Sequence, residues 1–471
     1  MNSIITPTAE VRPWWEDIRE ALRGSRRNYT EGPIGRALLM LAVPMVLETL
    51  MESLFAVVDV FFVAKLGADA VATVGLTETM LYIIYSIAIG LGIGATAIVA
   101  RRVGEGDLEG AARAGVQAII LGIVIAGFIA LVGTMLSPVL LHALGGSEVV
   151  QKNGTAYTRV MLGGNIVIVM LYLINAIFRG AGDAAIAMRV LWFANILNMV
   201  LGPCFIFGLG PFPRLGVTGA AVATTIGRGC GVIYQVVQLS RQRGWIVIKR
   251  SHIRLDFPLL RRVWNLSTTA TLQILIGTTS WIGIVRVLAS FGSAAVAGNT
   301  IGFLIILFAI LPSEGVANAA ATMVGQGLGA GNPDRAARAA WLAAFYNMVF
   351  LGAIGTVFIL FPRQIVSVFT NDTAVATYAA SCLRTVAYGF LFYAYGMVLT
   401  NALNGAGDTW TPTFINLGIF WIFEIPLAYA LANHTQLGPY GVFWAMTMAY
   451  SALAVVSGIV FARGQWRHKR V

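Results

Sequence analysis

The sequence predicts an all-α membrane protein of about twelve transmembrane helices, set in two six-helix lobes related by a parallel internal repeat. Three observations carry this reading. Hydrophobic residues make up 58% of the 471 and charged residues 11%, against roughly 25% charged in a soluble domain. Uncharged runs recur along the chain; one extends from Arg113 to His142, and about 20 apolar residues already span a bilayer as a helix. Finally, segments of the first half recur in the second at one fixed displacement. Too few polar groups are present to cover the surface of an aqueous enzyme, so that class is excluded.

Helices are preferred over a barrel because the apolar runs are continuous and rich in Ala, Leu, Ile and Val. Barrel strands would alternate in polarity over about ten residues, and only these two structures satisfy the backbone inside lipid. The predicted spans lie near 36–64, 70–100, 110–138, 150–178, 184–208 and 217–240, then 258–289, 294–325, 334–361, 374–403, 409–432 and 439–463. This gives a cytoplasmic N-terminal tail (1–33), a first lobe (34–240), a basic linker (241–257), a second lobe (258–463) and a basic tail (464–471).

The net charge of +11 is placed for a membrane and implies no nucleic-acid partner. Arg19, Arg23, Arg26 and Arg27 precede the first span; Arg241, Arg243, Lys249, Arg250, Arg254, Arg261 and Arg262 fill the centre; Arg463, Arg467, Lys469 and Arg470 close the chain. With an even number of spans these clusters share one side, and positively charged loops favour the cytoplasm. The expected location is therefore the cell (inner) membrane, multi-pass, with both termini inside. The first 33 residues lack the apolar core of a cleaved leader. Trp14, Ile18 and Leu22 opposite Arg19 and Arg23 suggest a short interfacial helix instead. Cys204, Cys230 and Cys382 stand in apolar context without Cys-x-x-Cys spacing or clustered His, so they read as small packed side chains rather than a metal site or disulfide framework.

The repeat is specific. Lys65-Leu-Gly67-Ala-Asp-Ala-Val-Ala72 matches Ser290-Phe-Gly292-Ser-Ala-Ala-Val-Ala297, a displacement of 225. The same displacement carries Gly104-Glu-Gly106 onto Gly329-Ala-Gly331, Ala111-Ala-Arg113-Ala onto Ala336-Ala-Arg338-Ala, Arg159 onto Arg384 and Gly180-Ala-Gly-Asp183 onto Gly405-Ala-Gly-Asp408. Six is even, so both copies have the same topology. Transporters built from repeats hold substrate at the repeat interface and move the two bundles around it.

With these residues in hand, the chain resembles the multidrug and toxic compound extrusion (MATE) family over essentially its full length. The resemblance rests on Val58-Asp59-Val-Phe-Phe-Val-Ala-Lys-Leu-Gly67, Phe178-Arg179-Gly-Ala-Gly-Asp183, Pro312-Ser-Glu-Gly315 and Val324-Gly-Gln326-Gly-Leu-Gly-Ala-Gly-Asn332, in this order and duplicated. It implies export of bulky, often cationic organic compounds, driven by inward flow of protons or sodium. The implied partners are small organic substrates and membrane lipids, the chain acting as a monomer with no cofactor beyond the coupling ion, H+ or Na+.

Charged groups inside spans are costly and each is a candidate functional residue. Glu48, Glu52 and Asp59 lie in the first span, and at 100° per residue steps of four and eleven return to within about 40° and 20° of one stripe. Like charges so placed resist simultaneous ionisation, which suits a site that alternately holds a proton and a cation. Asp59 matches the position of the family's first-span aspartate, where coupling ions bind. The displacement of 225 sends Glu48, Glu52 and Asp59 to Gln273, Gly277 and Ile284, so the acidic stripe belongs to one lobe.

The chain departs from the family's sodium patterns. Where archaeal members show Asn-x-x-x-Asp-Pro in the fifth span, it reads Asn198-Met-Val-Leu-Gly202-Pro203; Asn198 remains an oxygen ligand for a sodium site with Asp59, but the second carboxylate is missing. Another branch places acids in the seventh and tenth spans, and none occur in Val263–Ser290 or Ala374–Gly407. Protons are therefore expected as the coupling ion. Glu78, Gln273, Arg286, Glu314, Tyr393 and Glu424 are candidates to line the cavity, with Arg228 and Arg286 neutralising some of the acids and a structural ion pair the expected role of Arg286. Asp183, Asp408, Arg113 and Arg338 read as loop-bracing groups. Gly90-Leu-Gly-Ile-Gly94 and Gly325-Gln-Gly-Leu-Gly329 lack a Gly-Lys-Ser/Thr and a strand context, so close helix approach in lipid is their expected use. Two other readings compete. A lipid-precursor flippase would favour an arginine-dominated cavity and extra C-terminal spans. A membrane-embedded enzyme would need clustered catalytic groups, and His142, His252, His434 and His468 are scattered.

Overall fold

The computed structural model describes residues 14–24, 29–241 and 246–469, all of them helix, turn or loop. Arg26, Arg27, Arg243 and Arg470 lie outside the described residues. A short helix α1 (Trp14–Arg23) precedes α2 (Ile34–Ala64), α3 (Ala68–Gly104), α4 (Leu108–Ala143), the pair α5 (Glu148–Gly163) and α6 (Asn165–Ala181), α7 (Ala184–Phe207) and α8 (Val217–Ser240). The second copy runs through α9 (Phe257–Ala289), α10 (Ser293–Gly329), α11 (Pro333–Leu360), a five-residue α12 (Pro362–Val366), the pair α13 (Thr373–Ala387) and α14 (Phe390–Gly405), then α15 (Trp410–Asn416), a π-helical segment (Leu417–Glu424), α16 (Ile425–Asn433) and α17 (Pro439–Ala462). Among the described residues ten helical spans are long and apolar enough to cross a membrane, and the bent pair α13–α14 makes eleven. The acid-bearing α2, 31 residues long, is the remaining helix of that length.

The repeat is built from turn and cap chemistry. Gly67 and Gly292, Gly106 and Gly331, and Gly182 and Gly407 all have positive φ, a conformation side chains rarely adopt, and each pair is 225 residues apart. At the same displacement Asp107 and Asn332 cap α4 and α11, accepting from the N–H groups of Gly110 and Arg335, and Ser147 and Asp372 cap α5 and α13. Each cap satisfies an amide the helix start leaves open. Gly164 and Gly389 interrupt the fourth and tenth spans at equivalent points, the second with a 61° bend. The π-helical segment has no counterpart in α7.

The two first helices cross over. Leu38, Leu41 and Met45 of α2 share an apolar core with Ile306, Met397 and Phe443 of the second lobe, while Val263 of α9 is packed with Leu91 and Ile98 of the first. Such crossings need bare backbone. A Cβ on Gly90 of α3 would meet the Thr271 amide at 2.6 Å, and one on Gly315 of α10 would meet the Val46 amide at 2.5 Å. These are the same contact in the two copies.

Among the described residues, the hydrogen bonds that join the lobes lie at the end carrying the termini and linker. Gln326 donates to the Gly180 carbonyl (3.0 Å) and Thr322 to that of Arg179 (3.2 Å). Arg335 donates to the carbonyls of Tyr29, Glu31 and Gly32, and the buried Tyr29 reaches the Gly182 carbonyl. Arg101 donates to the Lys469 carbonyl while Lys469 pairs with Asp408 at 3.3 Å. The linker is clasped to α4: Lys249 and His252 both contact Glu109, and Gln117 bridges Arg254 and Asp256. In α1 the face turned to the protein is Asp17 and Ala21, with Asp17 3.5 Å from Arg36. Trp14, Trp15, Arg19 and Arg23 are exposed and Ile18 and Leu22 half-buried.

Candidate functional site

A cavity of about 400 Å³ lies between the lobes. The first lobe lines it with Glu48 and Glu52 of α2, Ile89 to Thr96 of α3, and Tyr172, Asn175 and Arg179 of α6; the second contributes Gln273 of α9, Glu314 and Asn318 of α10, Tyr393, Asn401 and Asn404 of α14, and Phe420 of the π-helical segment. Pro44 lies one turn before Glu48 and Pro312 two residues before Glu314. Each removes a helical N–H beside a cavity acid, a common origin of local bending.

The two α2 glutamates have different partners. Glu48, 4% exposed, accepts from Arg179 at 2.7 Å and from Asn175 at 3.0 Å, and Gln235 orients Asn175 in turn at 2.7 Å. Glu52 accepts from the Tyr172 hydroxyl at 2.7 Å and from Asn195 at 3.2 Å, with Arg228 at 3.4 Å. Arg228 of α8 is 2% exposed, also donates to the Tyr85 hydroxyl at 3.0 Å, and has the Phe55 and Tyr85 rings beside it. Both polar atoms of the Asn404 amide and the side-chain oxygen of Gln273 are buried without a hydrogen-bond partner among the described residues.

Asp59 stands apart. It shares the stripe of Glu48 and Glu52, but seven and eleven residues along a helix are about 10 and 16 Å at 1.5 Å per residue, and it does not line the cavity. It lies instead in the electrostatic field of Arg228 and Glu78. Neither Asp59 nor Glu78 has a hydrogen bond or ion pair among the described residues. Asn198 is not joined to Asp59; it is buried and donates to the Thr224 hydroxyl at 2.8 Å. No group of three His, Cys, Asp or Glu that could hold a metal ion occurs among the described residues.

Of the other candidates, Gln273, Glu314 and Tyr393 line the cavity, whereas Glu78, Arg286 and Glu424 do not. Glu78 belongs with Asp59. Arg286, on the last turn of α9, is exposed and has no ion pair among the described residues, because the helix turns position 286 outward. Glu424 ends the π-helical segment, buried near Tyr393 and Tyr450. Asp183 and Asp408 are buried at the ends of spans, Asp408 bound by Lys469 and Thr411. The cysteines are free, with Cys382 buried and Cys204 and Cys230 half-buried.

Sequence reasoning passed over Arg179 as a cavity group because it falls just beyond the predicted span 150–178, in the last turn of α6, where arginines are ordinary; the available signal was its place in the Phe178–Asp183 motif. The asparagines at 175, 318, 401 and 404 gave no signal, since position on a helix face is all that marks them.

Comparison with known proteins agrees over most of the chain. The MatE family profile matches residues 44–204 and 269–430, whose first residues lie 225 apart. The probable multidrug resistance protein NorM of Thermotoga maritima is 26% identical over 451 residues, covering 93% of this chain and 94% of the relative. The FAD transporter of Shewanella oneidensis is 27% identical over 412 residues, covering 86% and 89%. A crystal structure of MATE in the straight conformation superposes with a TM-score of 0.87 at 26% identity, over 95% of this chain and 97% of that one. A MOP superfamily transporter from Pyrococcus furiosus Vc1, whose reverse pocket polarity suggests a different function, gives 0.87 at 25% identity over 96% and 98%. With two family repeats, an all-helical two-lobe fold and a cavity between the lobes, the chain belongs to the MatE family of multi-pass membrane transporters and is not an enzyme.

Proposed function

We propose that this transporter exports bulky organic cations across the inner membrane in exchange for protons, working as a monomer with both termini and the linker in the cytoplasm. One observation carries the substrate class: carboxylates outnumber guanidinium groups three to one among the cavity-lining residues, Glu48, Glu52 and Glu314 against Arg179. A flexible apolar lining with a few placed polar groups is how adaptable pockets accept varied ligands, and Met397, Phe420, Ile89, Ile93, Leu191 and Leu311 supply it. A flavin nucleotide, the cargo of the Shewanella relative, would bring phosphate charge against those three acids, so an anionic substrate is disfavoured.

Proton coupling is supported by the composition of the acidic groups. A sodium ion needs several oxygen ligands drawn together, whereas a proton needs one titratable carboxylate; Asp59, without a hydrogen bond or ion pair among the described residues, is such a group. Glu48 is committed to Arg179, which leaves Glu52 and Glu314 as the cavity acids that can face a cation. The contacts joining the lobes at the terminus-bearing end correspond, in this reading, to a conformer closed toward the cytoplasm. Asp59→Asn keeps the shape of the side chain but cannot titrate. Purified Asp59→Asn is expected to fold and to lose gradient-driven transport; normal transport under an imposed gradient would make the carboxylate structural.

A further inference from the structure

We propose that Arg228 is the positioning residue that couples the proton site to the substrate site, by alternating between Glu52 and the Asp59–Glu78 pair. The inference rests on the proton-coupled reading above and supplies the link that reading lacks, since Asp59 does not line the cavity.

Arg228 is the twelfth of the 24 residues of α8, near mid-membrane, where an arginine is costly and needs a reason. It is 2% exposed, its contact with Glu52 is a long 3.4 Å, and its Nε–H is buried with no acceptor among the described residues. The firm contact is with a neutral group, the Tyr85 hydroxyl at 3.0 Å. An arginine fork has five donors, and here one carboxylate touches a single prong at the edge of range while a second donor is unspent. The titratable groups that interact electrostatically with it are Glu52 and Asp59 from α2, Glu78 and Tyr85 from α3, Tyr157 from α5 and Tyr172 from α6; of these, Glu52 and Tyr85 touch it. On α7 the uncharged Asn195 donates to Glu52 and Asn198 donates to Thr224. One buried cation thus serves three acids in two groups, and satisfying one group leaves the other exposed to a competitor.

The cycle follows from charge balance. With Asp59 and Glu78 both ionised, the guanidinium turns to them and Glu52 is left facing the cavity, open to an organic cation. When the pair takes up one proton from outside, its hold on Arg228 weakens. Arg228 returns to Glu52 and displaces the cation from that carboxylate. The contact with Glu52 and the unpaired state of Asp59 and Glu78 are the arrangement expected with the pair protonated. One positive charge enters and one leaves, and the arginine keeps its own proton throughout.

The test is the number of protons released when tetraphenylphosphonium binds the purified full-length protein in weakly buffered solution at neutral pH, read with a pH indicator. By linkage, a cation that competes with one proton releases about one proton on binding in the wild type. Arg228→Gln and Arg228→Met should each release less than roughly a third of that while still binding the probe, because no charge remains to pass between the pair and Glu52. Arg228→Lys keeps the buried charge and should retain most of the release, so it gives the reading even if the neutral variants do not fold, and its loss of release would overturn the charge-shuttling role. Undiminished release from the neutral variants would overturn the role of Arg228 while leaving proton coupling intact. A wild type that binds the probe and releases no proton would instead overturn the proton reading, and this inference with it.

Discussion

The crossing of α3 and α10 at the terminus-bearing end can be perturbed by a single methyl group. A Cβ placed on Gly104 would stand 2.1 Å from the Gln326 carbonyl oxygen and 2.8 Å from its carbon. Both are backbone atoms, which cannot rotate aside, and real Cβ contacts essentially never fall below 3.0 Å. Gly104→Ala therefore forces the helices apart by at least about 0.9 Å, taken from the 2.1 Å contact. Overpacking of this kind costs about 1–3 kcal/mol. The cost falls on conformers in which this end is closed and is absent where the helices have separated. A differential of that size shifts the balance between the two about 5- to 150-fold. The assay is a single cysteine at Asn318, a cavity position on α10, in a background lacking Cys204, Cys230 and Cys382. A membrane-impermeant thiol reagent is applied to vesicles that present the terminus-bearing side outward. Gly104→Ala should speed labelling at least about fivefold, at the lower bound of that shift. Gly329→Ala should match it, because its Cβ would meet the Arg101 carbonyl oxygen at the same 2.1 Å. Gly106→Ala, which strains a turn but meets nothing within 4 Å, should leave the rate unchanged. Unaltered labelling in both crossing variants would refute the view that this contact closes the cavity at that end.

Two further outcomes are expected. Removing one partner of a buried ion pair costs about 3–5 kcal/mol, so Glu48→Ala should lower stability toward the bottom of that range, since Arg179 is 18% exposed at the cavity. Denaturant unfolding in micelles measures it, and a double-mutant cycle with Arg179→Gln that returns under about 0.5 kcal/mol would show the pair to be uncoupled. A cysteine replacing the exposed Arg250 of the linker should react only from the cytoplasmic side; strong labelling in intact cells would invert the topology.

The span limits were legible because lipid leaves a sequence few options: continuous apolar runs, broken by glycines where the chain turns. The register of 225 was equally plain, and the structure gives its cause in the positive-φ glycines at 67 and 292 and the caps at Asp107 and Asn332. The site was read less well. Angular position on a helix placed Glu48, Glu52 and Asp59 on one stripe, but the axial rise separates Asp59 from the cavity. Pairings between helices were beyond the sequence, since nothing in the spacing of Glu48 and Arg179, or of Glu52 and Arg228, marks them as neighbours. The π-helical segment at Leu417–Glu424 also left no signature, because its register depends on how that span packs rather than on its composition.

Transport in proteoliposomes under separately imposed gradients tests the central claim most directly. The account predicts that an inward proton gradient alone drives export of an organic cation from the wild type, that Asp59→Asn abolishes it, and that a sodium gradient at equal pH drives nothing. Export that persists with the proton gradient collapsed but requires external sodium would contradict it.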